Sequence, residues 1–215
     1  MSFGTKKRKR MEERAPIRKW YMAIDIEGRG DSLFNPITAI GVFFAPADGK
    51  DLDFLSVKKR WSLLPLPGQT DEARCVDEFW SKFPQVEKTL AAEVRPAHQV
   101  MAEFRQWCAE VVAMVGGPKR IVLVTDCPDY DLGRLDQLGH AAGTWDTPIR
   151  HLGVGIRHSC CDPSERLEQL GPAFEEDFKE WLKKAHPMVK HSHYPDDDAE
   201  YCYYMQLYCD ERINK

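Results

Sequence analysis

Residues 121–125, Ile-Val-Leu-Val-Thr, form an unbroken apolar run between Gly116-Gly117-Pro118 and Asp126. A five-residue run of β-branched and aliphatic side chains suits a strand buried on both faces, which requires helices on both sides of a sheet. The sequence around it supplies them. Val100, Met101, Phe104, Trp107, Cys108, Val111 and Val115 recur at helical spacing before it, and Leu132, Leu135 and Leu138 recur after it. Val76, Phe79, Trp80, Phe83 and Leu90 mark an earlier helical region that Pro84 bends or divides. Phe174, Phe178, Trp181 and Leu182 mark a later helix, and a last one runs from Asp198 onward.

Strands dominate the N-terminal third. WYMAIDIE and NPITAIGVFFA read as two strands joined through a glycine-containing turn, and LSVKKRWSLLP reads as a third, so that the three form an antiparallel meander. Residues 143–172 read as loop-rich with one strand near residues 149–152. The order β-β-β-α-β-α-β-α-α predicts an α/β domain with a mixed five-stranded sheet flanked by helices. At 215 residues the chain suits one such domain, spanning residues 19–215.

Composition narrows the function class. The net charge of −4 is uneven: residues 1–19 carry eight Lys/Arg against two Glu, a local charge of +6, which leaves −10 for the rest. An acidic body does not suit a protein that grips nucleic acid over its whole surface, but it suits a site that gathers carboxylates around metal ions. Residues 1–18 read as a polar, disordered tail whose Lys6-Lys7-Arg8-Lys9-Arg10 run fits a nuclear address, a nucleic-acid arm or a plain solvated segment. Seven cysteines without a C-x-x-C pair argue against a disulfide framework or a zinc knuckle and point to a reducing, intracellular compartment, nucleus or cytoplasm. No apolar segment has the length of a membrane span or a secretory leader.

Three constellations carry chemistry. Asp25 and Glu27 alternate with Ile24 and Ile26, so both carboxylates point to one face of the first strand. Asp131 shares a helical stripe with Leu135 and Leu138 and should face the sheet, whereas Asp129 and Asp136 fall off it. Asp126 sits where it can cap the turn after the strand. Asp197 with Glu200 resembles a capping box, which starts the last helix near Asp198 and puts Asp198, Cys202, Met205 and Cys209 on one face. His193 lies on the loop entering that helix, with His186 and His191 nearby.

Together these residues resemble the four-carboxylate-plus-histidine (DEDDh) 3′→5′ exonucleases, a family with an RNase H-like fold. AIDIEGRG followed by TAIGVFF is similar to the family's first motif, CPDYDLGRL to its second and HYPDDDAE to its third. The resemblance runs from about Tyr21 to Leu207. It departs from the family pattern at Asp126, where asparagine is common, and at Pro195, and the stretch between the first two motifs is long enough for an added element around residues 65–95. His191 stands five residues before Asp196, as His193 does before Asp198, so two registers are open, and the Ala-Glu after Asp198 favours the second.

The resemblance implies that Asp25, Glu27, Asp131 and Asp198 hold two Mg²⁺ or Mn²⁺ ions and that His193 is the general base. Oxygen-only ligands favour those ions over Zn²⁺, and a histidine titrates in the range a base needs. It further implies that the backbone of Gly28 to Gly30 flanks the phosphate. Phe34 is the candidate for stacking on the terminal base, with Tyr130 and Trp145 behind it. The expected partner is a nucleic-acid strand with a free 3′ end. RNA trimming by the same fold, or a catalytically silent binding module, are the alternatives.

Overall fold

The structure is a computed structural model that describes residues 18–32, 34–143 and 160–213. Most of the basic tail, Trp145 and the strand expected near residues 149–152 lie outside the described residues.

β1 (Trp20–Gly28), β2 (Ile37–Pro46), α1 (Leu52–Leu55) and β3 (Val57–Ser62) open the domain. α2 (Ala73–Glu78), a 3₁₀ turn (Trp80–Lys82), α3 (Pro84–Ala92) and α4 (Ala97–Val115) follow. β4 (Ile121–Val124), α5 (Pro128–Ala141), β5 (Cys160–Cys161), α6 (Pro163–Leu170), α7 (Pro172–Ala185) and α8 (Pro195–Ile213) complete it. The strand order is β3-β2-β1-β4-β5. β1 to β3 form the antiparallel meander, and β4 joins β1 in parallel, so the sheet is mixed.

Four of the strands have substantial length; the last position holds only a two-residue pairing beside β4. Among the described residues the expected fifth strand is present only as that short pairing. Two helices were not legible in the sequence: α1, one turn before β3, and α6, inside the stretch read as loop-rich. α6 starts at a proline behind Asp162, whose side chain accepts the Glu165 N–H at 2.9 Å, a capping signal masked by weak apolar spacing. Pro84 does divide the expected helical region, because its fixed φ and missing N–H suit the first turn of α3 and not a helix interior.

Each face of the sheet carries its own core. Met22, Ile24 and Ile26 of β1 pack with Phe44, Trp61, α4 and α5 on one side. Tyr21 and Ala23 pack with Phe43, Val124 and α6–α8 on the other. Continuing that alternation puts Asp25 and Glu27 on the α8 face, where the apolar packing ends and the carboxylates begin. Among the described residues, no helix is long and apolar enough to cross a membrane.

Candidate active site

β1 and β4 run parallel, and Ala23 is level with Val124. Their carboxyl-terminal ends therefore meet at one edge, and Asp25 comes beside Asp126, two residues past the end of β4. The same edge receives the first turn of α8. Gly41, opposite Asp25 on β2, makes this approach feasible: a Cβ there would overlap the Pro195 carbonyl and the Asp196 N–H. The Ile-Gly-Val of β2 thus seats the last helix against the sheet.

Five carboxylates converge as a result. Oxygens of Asp25, Asp126 and Asp131 lie within 4.8 Å of one another, as do oxygens of Asp25, Glu27 and Asp198. Asp131 is 2% exposed, Asp198 4% and Glu27 8%. Asp131 accepts a hydrogen bond from the Thr125 hydroxyl. Asp198 accepts the N–H groups of Ser192 at 2.7 Å and His193 at 3.1 Å, so this carboxylate also shapes the loop that carries the histidines.

Burial, with mutual repulsion added, makes the ionised forms costly. It pushes Asp25 and Glu27 well above the usual carboxylate range, Asp131 to about 7 and Asp198 to about 6. Asp126 is also raised, chiefly by burial. Asp25 Oδ2 is buried with no hydrogen-bond partner. A buried carboxylate oxygen without a donor, among four other carboxylates, fits a hard divalent cation with oxygen ligands.

Asp129 is exposed and Asp136 half-buried, outside the cluster. Of the two registers at the third motif, it is Asp198 that joins Asp25 and Glu27; Asp196 is paired with Arg60 at 3.0 Å. The expected capping box is corrected. α8 begins three residues earlier, at Pro195, and Asp197 and Glu200 both bind Lys58 Nζ, Glu200 at 2.7 Å. Proline fits a helix's first turn, and the basic face of β3 supplies partners for the acidic side chains that would otherwise cap it.

His193 stands at the rim, with φ +61°. Its Nδ1 is 3.8 Å from Asp198 Oδ2, and His191 Nε2 is 3.4 Å from the same oxygen. The His193 ring packs against Phe83 at 4.1 Å and edge-on against Phe79 at 5.0 Å. Partial burial, followed by the neighbouring His191, lowers its pKa below the ordinary histidine value. Both phenylalanines belong to the helical segment between β3 and α4. Arg29 anchors this element through Glu87 and, at 2.9 Å, Asp71, while Trp80 Nε1 donates to the Gly28 carbonyl at 3.0 Å.

Beside the carboxylates opens a cleft of about 390 Å³ whose lining includes Glu27, Gly28, Phe79, Lys82 and Tyr130. Arg134, itself buried, donates to the Gly30 carbonyl at 2.6 Å, the Asn35 carbonyl at 2.6 Å and the Tyr130 hydroxyl at 2.8 Å, holding the loop after β1. Gly28 has no room for a side chain, since a Cβ would meet Tyr130 Oη at 2.5 Å. Phe34, by contrast, is 77% exposed and is not among the lining residues.

The sequence reading missed Asp126, Arg134, Phe79 and Phe83 as site residues. Asp126 had a signal, because a carboxylate directly after a buried parallel strand sits at the edge where α/β sheets place their sites. The other three depend on contacts between segments distant in sequence.

The sequence matches no protein-family model and no curated protein. Solved structures do resemble it over nearly its full length. Cell-death related nuclease 4 is 15% identical with a TM-score of 0.57, covering 92% of this chain and 64% of that one. The nuclease domain of 3′hExo, a DEDDh family member bound to rAMP, is 11% identical with a TM-score of 0.57, covering 93% of this chain and 94% of that one. Exonuclease I of E. coli in complex with a dT13 oligonucleotide is 12% identical with a TM-score of 0.56, covering 91% and 42%. The chain thus spans less than two thirds of the first and less than half of the third. At these identities the likeness is one of fold: the chain shares the mixed α/β fold of these nucleases.

Proposed function

We propose that this chain is a metal-dependent 3′→5′ exonuclease that releases nucleoside 5′-monophosphates from a strand with a free 3′ end. The observation that carries the reading is that Asp131 on one side and Glu27 with Asp198 on the other meet at Asp25, whose buried Oδ2 has no hydrogen-bond partner, with His193 at the rim. A fold shared with proteins whose structures hold dT13 and rAMP supports nucleic acid as the substrate class.

Those four side chains would hold two Mg²⁺ or Mn²⁺ ions, and Asp126 adds a carboxylate at the Asp25–Asp131 side. Bound there, the ions supply a water acidic enough to attack near neutral pH and a countercharge for the leaving oxygen. His193 takes the proton of the attacking water; its lowered pKa leaves it neutral and able to accept one at pH 7. The water oxygen bonds to phosphorus, the bond from phosphorus to the 3′ oxygen breaks, and the terminal nucleotide leaves with its 5′ phosphate. The cleft lined by Gly28, Tyr130 and Lys82 receives that nucleotide, with Gly28 keeping the backbone open to close approach and Tyr130 offering a ring for stacking.

The test is a panel of 5′-labelled single-stranded DNA, duplex DNA, mismatched DNA and single-stranded RNA with Mn²⁺ or with EDTA. A ladder of shortened products that EDTA abolishes is expected, and a 3′-labelled strand should release its label as a mononucleotide. The panel also separates DNA degradation from RNA trimming. No hydrolysis of any substrate would leave a silent binding module; cleavage of circular single strands would overturn the exonucleolytic reading.

A further inference from the structure

A second set of ligands lies beside the carboxylates and differs from them in kind. One ring nitrogen each of His191 and His193 and an oxygen of Asp198 lie within 4.8 Å of one another. The His191 Nε2 to Asp198 Oδ2 separation is 3.4 Å, and that from His193 Nδ1 to the same oxygen is 3.8 Å. Zinc bound at about 2.0–2.1 Å in tetrahedral geometry sets its ligand atoms roughly 3.3–3.4 Å apart. The first pair already has that spacing, and the second needs a shift of a few tenths of an ångström.

The two rings start close together, with centroids 4.9 Å apart. His191 is half exposed, which gives an ion a path from solvent and its ring freedom to turn. Asp198 is held in place by the Ser192 and His193 N–H groups, and Phe79 and Phe83 hold His193 from the other side. Two of the three ligands are therefore positioned before any ion arrives.

We infer that His191, His193 and Asp198 form a transition-metal site that takes Zn²⁺, with water as fourth ligand, and that filling it shuts down hydrolysis. Imidazole nitrogens favour Zn²⁺ and leave Mg²⁺ to the oxygen-only positions, so the two sites sort ions by ligand type. Occupancy ties the proposed base to an ion through one of its ring nitrogens and commits an oxygen of Asp198. The inhibitory half of this inference rests on the nuclease reading; the binding half does not.

The test titrates ZnCl₂ into the full chain by calorimetry with Mg²⁺ in large excess, and follows visible absorption when Co²⁺ replaces Zn²⁺. One ion should bind, with the Co²⁺ bands of nitrogen coordination. His191→Ala should weaken binding at least about tenfold and abolish those bands. In whatever hydrolysis the variant keeps, the Zn²⁺ concentration for half-inhibition should rise by the same factor as the binding loss. His191→Gln, which keeps a polar side chain on the loop, should behave alike and guards against a folding defect. Zinc binding or inhibition unchanged in both variants would overturn the inference, as would the absence of binding to the wild-type chain. Zinc binding that His191→Ala weakens, in a chain that hydrolyses nothing, would keep the site and overturn the nuclease reading alone.

Discussion

The ring centroid of Phe83 lies 4.1 Å from that of His193, so the helical segment between β3 and α4 touches the proposed base directly. This makes Phe83 a positioning residue. Phe83→Ala should lower kcat roughly 10- to 100-fold, the scale of a displacement of about 1 Å at a catalytic group, with KM little changed. Phe83→Leu, which restores bulk, should recover most of the loss. A rise in KM alone would assign the residue to substrate binding instead. His193→Ala should cost roughly 10²- to 10⁴-fold in the chemical step while metal binding persists.

Replacing Asp25, Glu27, Asp131 or Asp198 with Ala should remove most hydrolysis from a folded protein. Removal of a repelling buried carboxylate should also raise the melting temperature of the cation-free protein. Asp129→Ala, on the exposed side of α5, serves as the control. Activity retained in Asp131→Ala and lost in Asp129→Ala would reassign the second motif.

The raised carboxylates set a pH dependence with a definite sign. Asp131 at about 7 and Asp198 at about 6 hold protons that the unfolded chain releases near its ordinary carboxylate value. Their contribution to stability is full below that value and is lost as pH rises through 6 to 7. His186 and His193, both lowered, act in the opposite direction but mostly below 6.5. Without divalent cations the protein should therefore melt at a lower temperature at pH 8 than at pH 6.5, and Asp131→Asn should flatten that slope. A melting temperature that rises over this window would contradict the burial of the cluster.

Divalent cations should reverse the loss. At a free concentration of about 100 Kd, Mg²⁺ or Mn²⁺ should stabilise the native chain by ~2.7 kcal/mol. For a domain of this size that corresponds to roughly 5–10 °C, and EDTA should remove it. Equal melting curves with and without the ion would count against cation binding at Asp25.

Gly41→Ala should damage the protein twice. Its methyl group meets the backbone of Pro195 and Asp196, which cannot yield as a flexible side chain could. Overpacking of this kind typically costs about 1–3 kcal/mol, readable as a lower urea midpoint. Activity measured well below that midpoint should also fall, because α8 carries Asp198. Unimpaired activity would mean that the helix start moves without disturbing the cluster.

Much of the site was legible because strands and helices declare their buried faces. Alternation placed Asp25 and Glu27 together, and helical spacing separated Asp131 from Asp129. Capping logic placed the start of α8 late, because Lys58 is 139 positions from Asp197 and no local pattern shows their pairing. Arg134 binds the loop after β1 through backbone carbonyls, which carry no side-chain signature in the sequence. Phe79 and Phe83 have the spacing of core residues, and only the tertiary structure brings their rings to His193.

The seating of α8 against Gly41 also has a consequence for biosynthesis. A chain emerging from the ribosome has Asp25 and Glu27 early and Asp131 later, but it cannot close the carboxylate ring until Asp198 is made and docks. Any growing or prematurely terminated chain that stops short of α8 would lack both the fourth carboxylate and the histidine loop it organises. If this chain is the nuclease we propose, a growing chain would then be inert until α8 is made and seated.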